Sequence, residues 1–322
     1  QSLDRALALV DAAAGAGAHA LKLQTYTADS ITLNVRGGDF EIQDRNSLWS
    51  GENLHDLYSK AATPWEWHAA IMARAQQHGM LCFSSPFDEK AVDFLEELNV
   101  PAYKIASFEN SHLPLIRKAA STGKPLIIST GLATLGELEE AVTAARSAGC
   151  RHLTLLKCTS TYPATPYNTN IRTIPHLGEL FQCIVGLSDH TLGIGVSVAA
   201  VALGASVIEK HFCLSRAEGG VDSAFSLEPD ELRRLVDETE RAWQALGEVS
   251  YGATQAEKAS LAFRRSLYIA EDMSAGTPLD PKNLRIVRPG HGLHPRHYEE
   301  MLGRRVNKDV VRGTPLSLDL VS

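Results

Sequence analysis

The sequence is short of the features that would assign it to a class at once. It has no apolar run long enough to span a membrane and no recognisable signal peptide, so we expect a cytoplasmic protein without membrane contact. The 31 Lys and Arg residues are outnumbered by 38 Asp and Glu residues, and the formal net charge of -7 argues against a general nucleic-acid binder. The five cysteines are scattered and form no CxxC pair, which predicts reduced core thiols rather than a disulfide framework.

What the sequence does contain is a repeated alternation of apolar runs with amphipathic segments. With 322 residues, 44% of them hydrophobic and 21% charged, the chain is long enough for one large domain and one small one. The alternation predicts an α/β fold in which parallel strands are joined by crossover helices. Seven runs have the character of strands: "ALKLQTY", "MLCFSSPF", "AYKIAS", "PLIIST", "LTLLKCT", "IVGLSDH" and "SVIEKHF".

The number of these elements predicts the architecture. Eight helical patterns accompany the seven strands, because the chain opens directly with "SLDRALALVDAAAGAGA". We therefore predict a (β/α)8 TIM barrel over residues 1–250, N-terminally truncated so that its first strand lies outside this sequence. A linker at 251–263 and a small β-rich domain at 264–322 follow, in which "AGTPL" and "RGTPL" predict two similar turns. In such barrels the chemistry lies at the carboxyl ends of the strands.

Two of the strand-like runs end in histidine. Because side chains alternate along a strand, Ser188 and His190 share one face of "GLSDH", and Glu209 and His211 share the inward face of "SVIEKHF". Two imidazoles on neighbouring strand ends, with carboxylates close by, are able to form a site for a divalent metal. Two hydrogen-bonded structural histidines inside a barrel would give the same pattern. The residue types alone leave both interpretations open.

Lysines and hydroxyl side chains recur near the ends of the other runs. Lys22, Lys104 and Lys157 lie in three different runs. Cations and hydroxyls that converge on one rim would bind a phosphate or a carboxylate, although a lone lysine near a strand end is more often solvated. In the small domain, Arg288 either is solvated or projects into a neighbouring site. The other polar residues expected at the rim are Gln24, Ser85, Ser107, Glu109, Ser129, Ser160 and Tyr162.

Eight segments occur in an informative order: "LKLQTY", "FSSPFD", "PAYKIASFE", "GKPLIISTG", "LLKCTSTYP", "GLSDHTLG", "GASVIEKHF" and "GGVDSAFSLEPDEL". Together they resemble the sialic acid synthase family, which condenses phosphoenolpyruvate with a hexosamine-type sugar to make nonulosonic acids. The C-terminal segments "RRSLYIAEDMSAGTPL" and "RPGHGLHP" resemble the antifreeze-like (SAF) domain that ends these enzymes. Within the family, "TPWEWH", "SLWSGENLHDLY" and "KCTSTYPA" are most similar to the pseudaminic acid synthase branch.

This resemblance implies roles for individual residues. His190 and His211 would hold a divalent metal, manganese with magnesium or cobalt as alternatives, and would form the catalytic set together with Lys104 and Glu109. Arg288 matches a SAF-domain arginine that reaches the partner subunit's active site in a domain-swapped homodimer. The residues expected at phosphoenolpyruvate are Lys22, Ser85, Lys104, Ser107, Ser129, Ser160 and Ser188. Those expected at the acceptor sugar are Gln24, Tyr162 and Asp222, and Glu209 is a further substrate-site residue.

The activity that the resemblance implies is metal-dependent carbon–carbon bond formation between phosphoenolpyruvate and an open-chain amino sugar. The family also opens with a segment like "E-I-x-x-N-H-x-G", whose glutamate contacts the acceptor and which we expect upstream of this sequence. Two other classes stay open from the residues. A Schiff-base aldolase would use Lys22, Lys104 or Lys157, and a non-catalytic sugar-binding or ice-binding module would need only the C-terminal domain.

Overall fold

The computed structural model describes residues 2–45 and 47–322. The chain forms two compact units, one that ends at Gly247 and one of Glu248–Ser322. The first unit contains one parallel sheet in which each strand pairs with the next along the chain, and this confirms the seven parallel strands expected from the sequence. The strands are β1 (Ala20–Thr25), β2 (Leu81–Pro86), β3 (Tyr103–Ile105), β4 (Leu126–Ser129), β5 (Leu153–Cys158), β6 (Ile184–Ser188) and β7 (Val207–Glu209).

One helix precedes β1, and a helix follows every strand of the sheet. The first-unit helices are α1 (Leu3–Gly15), α2 (Ala28–Ile31), α3 (Leu54–Ala61), α4 (His68–Gln77), α5 (Glu89–Glu97), α6 (Leu113–Ser121), α7 (Leu135–Ser147), α8 (Thr173–Phe181), α9 (Gly195–Ala202) and α10 (Pro229–Leu246). Their starts follow local chemistry: α7, for example, begins with a capping box in which Glu137 accepts a hydrogen bond from Thr134 N at 2.7 Å. Among the residues that the structure describes, no helix has both the length and the apolar character needed to cross a bilayer.

The outer face of the sheet forms the main hydrophobic core. Ile105, Ile128, Leu155 and Val185 lie in one row across β3 to β6, and all four are buried. Apolar side chains of α6, α7 and α8 pack on this row. Since every second residue of a strand points to the same face, the alternate residues point to the interior of the curved sheet.

An ion pair shows how strongly the sheet curves. Lys22 on β1 and Glu209 on β7 lie on the two outermost strands, yet Lys22 Nζ is 2.8 Å from Glu209 Oε1. In a flat sheet with strands about 4.8 Å apart, seven strands would separate these two by roughly 29 Å. The sheet is therefore rolled into most of a TIM-like barrel, with β1 facing β7.

The second unit is small and rich in β-structure. Its strands β8 (Ser266–Ile269) and β9 (Leu284–Val287) pair antiparallel, and a short helix α11 (Tyr298–Met301) follows them. The repeated "GTPL" segments form two equivalent turns, as expected. Gly276 has φ +88° and Gly313 has φ +90°, and the threonine after each donates its hydroxyl to the carbonyl three residues earlier at 2.7 Å.

Candidate active site

The inner face of the barrel carries most of the polar residues that the sequence singles out. The β1–β2 register places Gln24 beside Ser85, and the β6–β7 register places Ser188 beside Glu209. Lys104 is flanked on β3 by outer-face residues and so points inward. These side chains come from strands that are far apart in sequence, and they meet near the carboxyl ends of the strands, where barrels of this kind hold their chemistry.

Two lysines share one glutamate at the centre of this site. Glu209 Oε1 lies 2.8 Å from Lys22 Nζ, and Glu209 Oε2 lies 3.6 Å from Lys104 Nζ. Burial alone would raise the pKa of Glu209, but the two ammonium groups outweigh it and hold that pKa well below its usual range. Burial lowers the pKa of Lys104 to about 8, although Glu209 opposes the shift. Two cations against one carboxylate leave net positive charge, which favours an anionic ligand.

Two buried hydroxyls on the same inner face as these charges have no protein partner among the described residues. Ser85 is 0% exposed and Ser129 is 1% exposed, and neither hydroxyl makes a hydrogen bond within the described ranges 2–45 and 47–322. Buried polar atoms in folded proteins nearly always have a partner. The most direct explanation is that a ligand supplies the partner, and a small anion with several acceptor oxygens suits both the hydroxyls and the lysines.

A glycine lets three loops approach each other beside this site. Gly131 N donates to Ser107 Oγ at 3.2 Å, and a Cβ on Gly131 would lie only 2.6 Å from that oxygen. The same Cβ would come still closer to Ser160 Oγ. Ser107 follows β3, Gly131 follows β4 and Ser160 follows β5, so the glycine allows hydroxyls from different loops to share one small volume.

Glu109 belongs to the same region and is suited to proton transfer. It ends the short turn of Ser107–Glu109, and its Oε2 atom is buried without a hydrogen-bond partner among the described residues. Burial raises the pKa of Glu109 to about 7, with Lys104 opposing the shift. A carboxyl group with such a pKa exchanges protons near neutral pH.

The two histidines meet as the strand pattern predicts. The ring centroids of His190 and His211 are 5.3 Å apart. His190 Nδ1 lies 2.9 Å from Thr159 O, and His211 Nδ1 lies 3.1 Å from Asp222 Oδ2. A partner on Nδ1 fixes the ring and leaves Nε2 available, which is the usual arrangement of metal-ligating histidines.

The imidazoles of His190 and His211 are suitable donors for a divalent ion. Both imidazoles come from adjacent strand ends. Burial lowers the pKa of His211, which favours the neutral form that coordinates metals, whereas for His190 the contact with Cys158 outweighs burial and raises the pKa. In the described part of the chain, no group of three or more His, Cys, Asp or Glu side chains is placed to hold an ion. Two imidazoles are fewer protein ligands than the three of a typical catalytic zinc site, so an ion held here would need further ligands.

Aromatic side chains line the histidine end of the site. The Tyr162 ring lies 4.6 Å from the His190 ring, and the Phe225 ring lies 4.9 Å from the His211 ring. Trp49, which the sequence did not single out, packs 5.9 Å from Tyr162 and donates its Nε1–H to Val221 O at 3.1 Å. Trp49 and Tyr162 are more than 100 residues apart in the sequence, so no local pattern could have revealed their contact.

Two further residues differ from the expectation at β5. Lys157 pairs with Leu187 on the outer face, and its Nζ donates to Cys158 O at 2.7 Å, so it does not join the other lysines. Cys158 instead shares the inner face with Ser188, and its Sγ lies 3.9 Å from His190 Nδ1. Strict alternation along "LTLLKCT" would have identified the cysteine and excluded the lysine.

Arg288 belongs to the second unit. It is exposed and lines a hollow of about 460 Å³. Arg264, Arg265 and His294 also line this hollow, so that the surface around Arg288 is strongly basic.

Comparison with known proteins extends the likeness over both units. The NeuB family model matches residues 9–251, and the SAF domain model matches residues 264–322. The chain belongs to the NeuB family. A pseudaminic acid synthase of Campylobacter jejuni subsp. jejuni is 44% identical over 98% of this chain and 91% of that protein. An N,N'-diacetyllegionaminic acid synthase from the same organism is 35% identical over 95% and 92%.

A solved NeuB-like structure also supports the fold. The N-acetylneuraminic acid synthetase of Leptospira borgpetersenii serovar Hardjo-bovis, in complex with citrate, superposes with a TM-score of 0.70 at 32% identity. That likeness covers 80% of this chain and 85% of the other chain. The resemblance to the sialic acid synthase family and its SAF domain is thereby confirmed, together with the TIM-like fold of a NeuB family member.

Proposed function

We propose that the protein condenses phosphoenolpyruvate with 2,4-diacetamido-2,4,6-trideoxy-altrose to give pseudaminic acid and phosphate. The 44% identity to a curated pseudaminic acid synthase supports this acceptor, because it exceeds the 35% identity to a synthase for a different nonulosonic acid. The observation that carries the phosphoenolpyruvate half is the buried cluster of Lys22, Lys104 and Glu209 beside the partnerless hydroxyls of Ser85 and Ser129.

The inner-face residues would bind phosphoenolpyruvate by its two charged ends. Lys22 and Lys104 supply positive charge. The hydroxyls of Ser85, Ser107, Ser129, Ser160 and Ser188 supply donors for phosphate and carboxylate oxygens. Held in this way, the enol carbon starts close to the acceptor aldehyde, which lowers the entropic part of the barrier.

The acceptor would lie at the histidine end. Gln24, Tyr162 and Asp222 would contact its polar groups. His190 and His211, which lie beside Tyr162 and Asp222, would hold a divalent ion, manganese with magnesium or cobalt as alternatives. When bound, such an ion acts as a Lewis acid toward a carbonyl oxygen.

The reaction balances without an outside oxidant. The enol carbon forms a bond to the aldehyde carbon, water adds to the cationic centre that results, and phosphate leaves by carbon–oxygen cleavage. Glu109 would take or give a proton near neutral pH at the phosphoenolpyruvate end, since burial raises its pKa to about 7. Lys104 stabilises the negative charge of the departing phosphate.

A second copy of the chain would complete the site. Exposed apolar side chains stand on four neighbouring loops after β3 to β6, at Phe108, Leu132, Tyr167 and Leu192. Such apolar surface marks an interaction face. A domain-swapped homodimer in which Arg288 of one protomer reaches the other mouth would cover it. Mixing Arg288→Ala with His211→Ala protein should then restore activity that each variant lacks, and no recovery would refute the swap.

Alternative functions make different demands on the site. A legionaminate or N-acetylneuraminate synthase would use the same phosphoenolpyruvate residues with another sugar, and the 35% relative favours keeping this alternative. A Schiff-base aldolase needs an uncharged lysine. Lys22 is ion-paired with Glu209 at 2.8 Å, so Lys104, whose pKa burial lowers to about 8, is the lysine that this alternative would use. A cytoplasmic location belongs to the proposal as well, because all five cysteines are free thiols.

Phosphate release from phosphoenolpyruvate tests the proposal directly. The purified protein with Mn²⁺ is expected to release phosphate with the trideoxy-altrose acceptor, more slowly with other amino sugars, and not without an acceptor. Added chelator should stop the release, and borohydride with pyruvate should not modify the protein. Faster phosphate release with N-acetylmannosamine than with the trideoxy-altrose would show that the proposed acceptor is wrong. Borohydride trapping of pyruvate on a barrel lysine would favour the aldolase.

A further inference from the structure

Asp189 and Lys210 stand directly before the two histidines but face the other way. Asp189 N donates to Glu209 O at 2.9 Å, so the parallel register of β6 and β7 continues beyond the last strand residues. In this register Asp189 lies beside Lys210 on the outer face, and His190 lies beside His211 on the inner face. The outer pair therefore lies behind the inner one.

The outer pair is a buried ion pair with every oxygen occupied. Lys210 Nζ lies 3.1 Å from Asp189 Oδ2, and the side chains are 2% and 0% exposed. Thr191 donates to Asp189 Oδ1 twice, from its backbone N–H at 2.8 Å and its hydroxyl at 2.7 Å. Ser197 on α9 donates to Oδ2 at 2.7 Å, and Lys210 Nζ donates to Thr191 O. The ends of β6 and β7 and the helix α9 are thus tied at one point.

Such a network is better explained by geometry than by stability. Replacing a buried ion pair by apolar residues is often neutral for stability, because desolvation offsets the attraction between the charges. A fully partnered network does hold its members in one arrangement. Here the residues next in the chain are the two imidazoles, whose ring centroids are 5.3 Å apart.

We propose that Asp189 and Lys210 are positioning residues that set the separation of His190 and His211 and thereby the affinity for the divalent ion. The inference rests on the proposed function, in which the two imidazoles are the ligands. Hydrogen-bond partners of metal ligands typically change metal affinity by about 10- to 100-fold when they are replaced, and Asp189 and Lys210 act on the two ligands through the adjoining backbone. The same size of effect is expected here.

Titration of the purified protein with Mn²⁺, followed by electron paramagnetic resonance of the free ion, tests the proposal alongside thermal unfolding. Asp189→Asn and Lys210→Met should each weaken Mn²⁺ binding about 10- to 100-fold and lower Tm, since each leaves one buried charge unpaired. The double variant has no unpaired charge, so its Tm should recover while its Mn²⁺ affinity stays low. Lys124→Met, which breaks a partly buried pair with Glu96 before β4, should lower Tm alone.

The outcomes distinguish a failure of the positioning role from a failure of the proposed metal ligands. Wild-type Mn²⁺ affinity in the refolded double variant would overturn the positioning role and leave the pair as a stabilising contact. Equal Mn²⁺ binding by wild type and by a His190→Ala, His211→Ala variant would refute the proposed ligands. If the single variants do not fold, the double variant decides the matter, because its charges are balanced.

Discussion

Substitution of Gly131 by alanine should damage the phosphoenolpyruvate site while the barrel stays folded. The new Cβ would lie 2.6 Å from Ser107 Oγ, and closer to Ser160 Oγ, where ordinary contacts begin at 3.4 Å. Ser107 must therefore retreat by about 0.8 Å, and overpacking of this kind costs about 1–3 kcal/mol of stability. The displacement also breaks the hydrogen bond from Gly131 N to Ser107 Oγ.

The functional loss should be larger than the loss of stability. A misplacement of about 1 Å in a reacting site can lower the rate by about 100-fold, so kcat/KM for phosphoenolpyruvate should fall by about 10- to 100-fold. Initial rates of phosphate release measure this value, and thermal unfolding measures the cost in stability.

Gly136 provides the matched control. It lies in the first turn of α7, and a Cβ on it would meet no atom within 4 Å. Alanine there should leave kcat/KM unchanged and stabilise the helix by about 0.5–1 kcal/mol. If Gly131→Ala kept kcat/KM within threefold of wild type, the three loops would not form the phosphoenolpyruvate site and the reasoning would be refuted.

Three more expectations follow from individual side chains. Ser85→Ala should raise Tm, because it removes a buried hydroxyl without a partner, and should raise KM for phosphoenolpyruvate about tenfold. The control Ser84→Ala, whose hydroxyl lies on the opposite face and is hydrogen-bonded to Thr25, should lower Tm without changing KM. Burial raises the pKa of Glu109 to about 7, so only the folded state keeps its proton between about pH 4.5 and 7, and wild-type stability falls across that window. In urea unfolding, Glu109→Gln should therefore gain up to about 3 kcal/mol relative to wild type from pH 5 to pH 8, and a gain independent of pH would contradict this. Trp49→Ala should raise KM for the sugar by about 3- to 10-fold and leave KM for phosphoenolpyruvate unchanged. The control Trp65→Ala, which removes a ring stacked on Phe94, should change only Tm. Equal effects of Trp49→Ala on both substrates would place Trp49 outside the acceptor site.

The fold and much of the inner face could be predicted because they depend on local periodicity. Alternation with period two placed Glu209 and His211 on the inner face, and the ion pair and ring contact there confirm it. The "GTPL" turns depend on one glycine with positive φ and one threonine, so they too could be inferred from a few residues.

Contacts between segments that are far apart in the sequence could not be predicted. The pairing of Lys22 with Glu209 joins residues 187 positions apart and exists only because the sheet rolls up. Trp49 reaches Tyr162 from a long loop for the same kind of reason. The prediction that Lys157 joins the other lysines was wrong, because its position in the alternation along β5 places it beside Leu187 on the outer face.

Calorimetric titration of phosphoenolpyruvate into the protein tests the central claim most directly. Lys104→Met removes a buried cation from the inner face and leaves Glu209 paired with Lys22, so the affinity should fall by about 10- to 100-fold, as expected for the loss of a charge-assisted contact. The Lys124→Met control, outside the site, should bind as wild type does. Unchanged affinity in Lys104→Met would contradict the account, because the inner-face cations would then not be what holds the substrate.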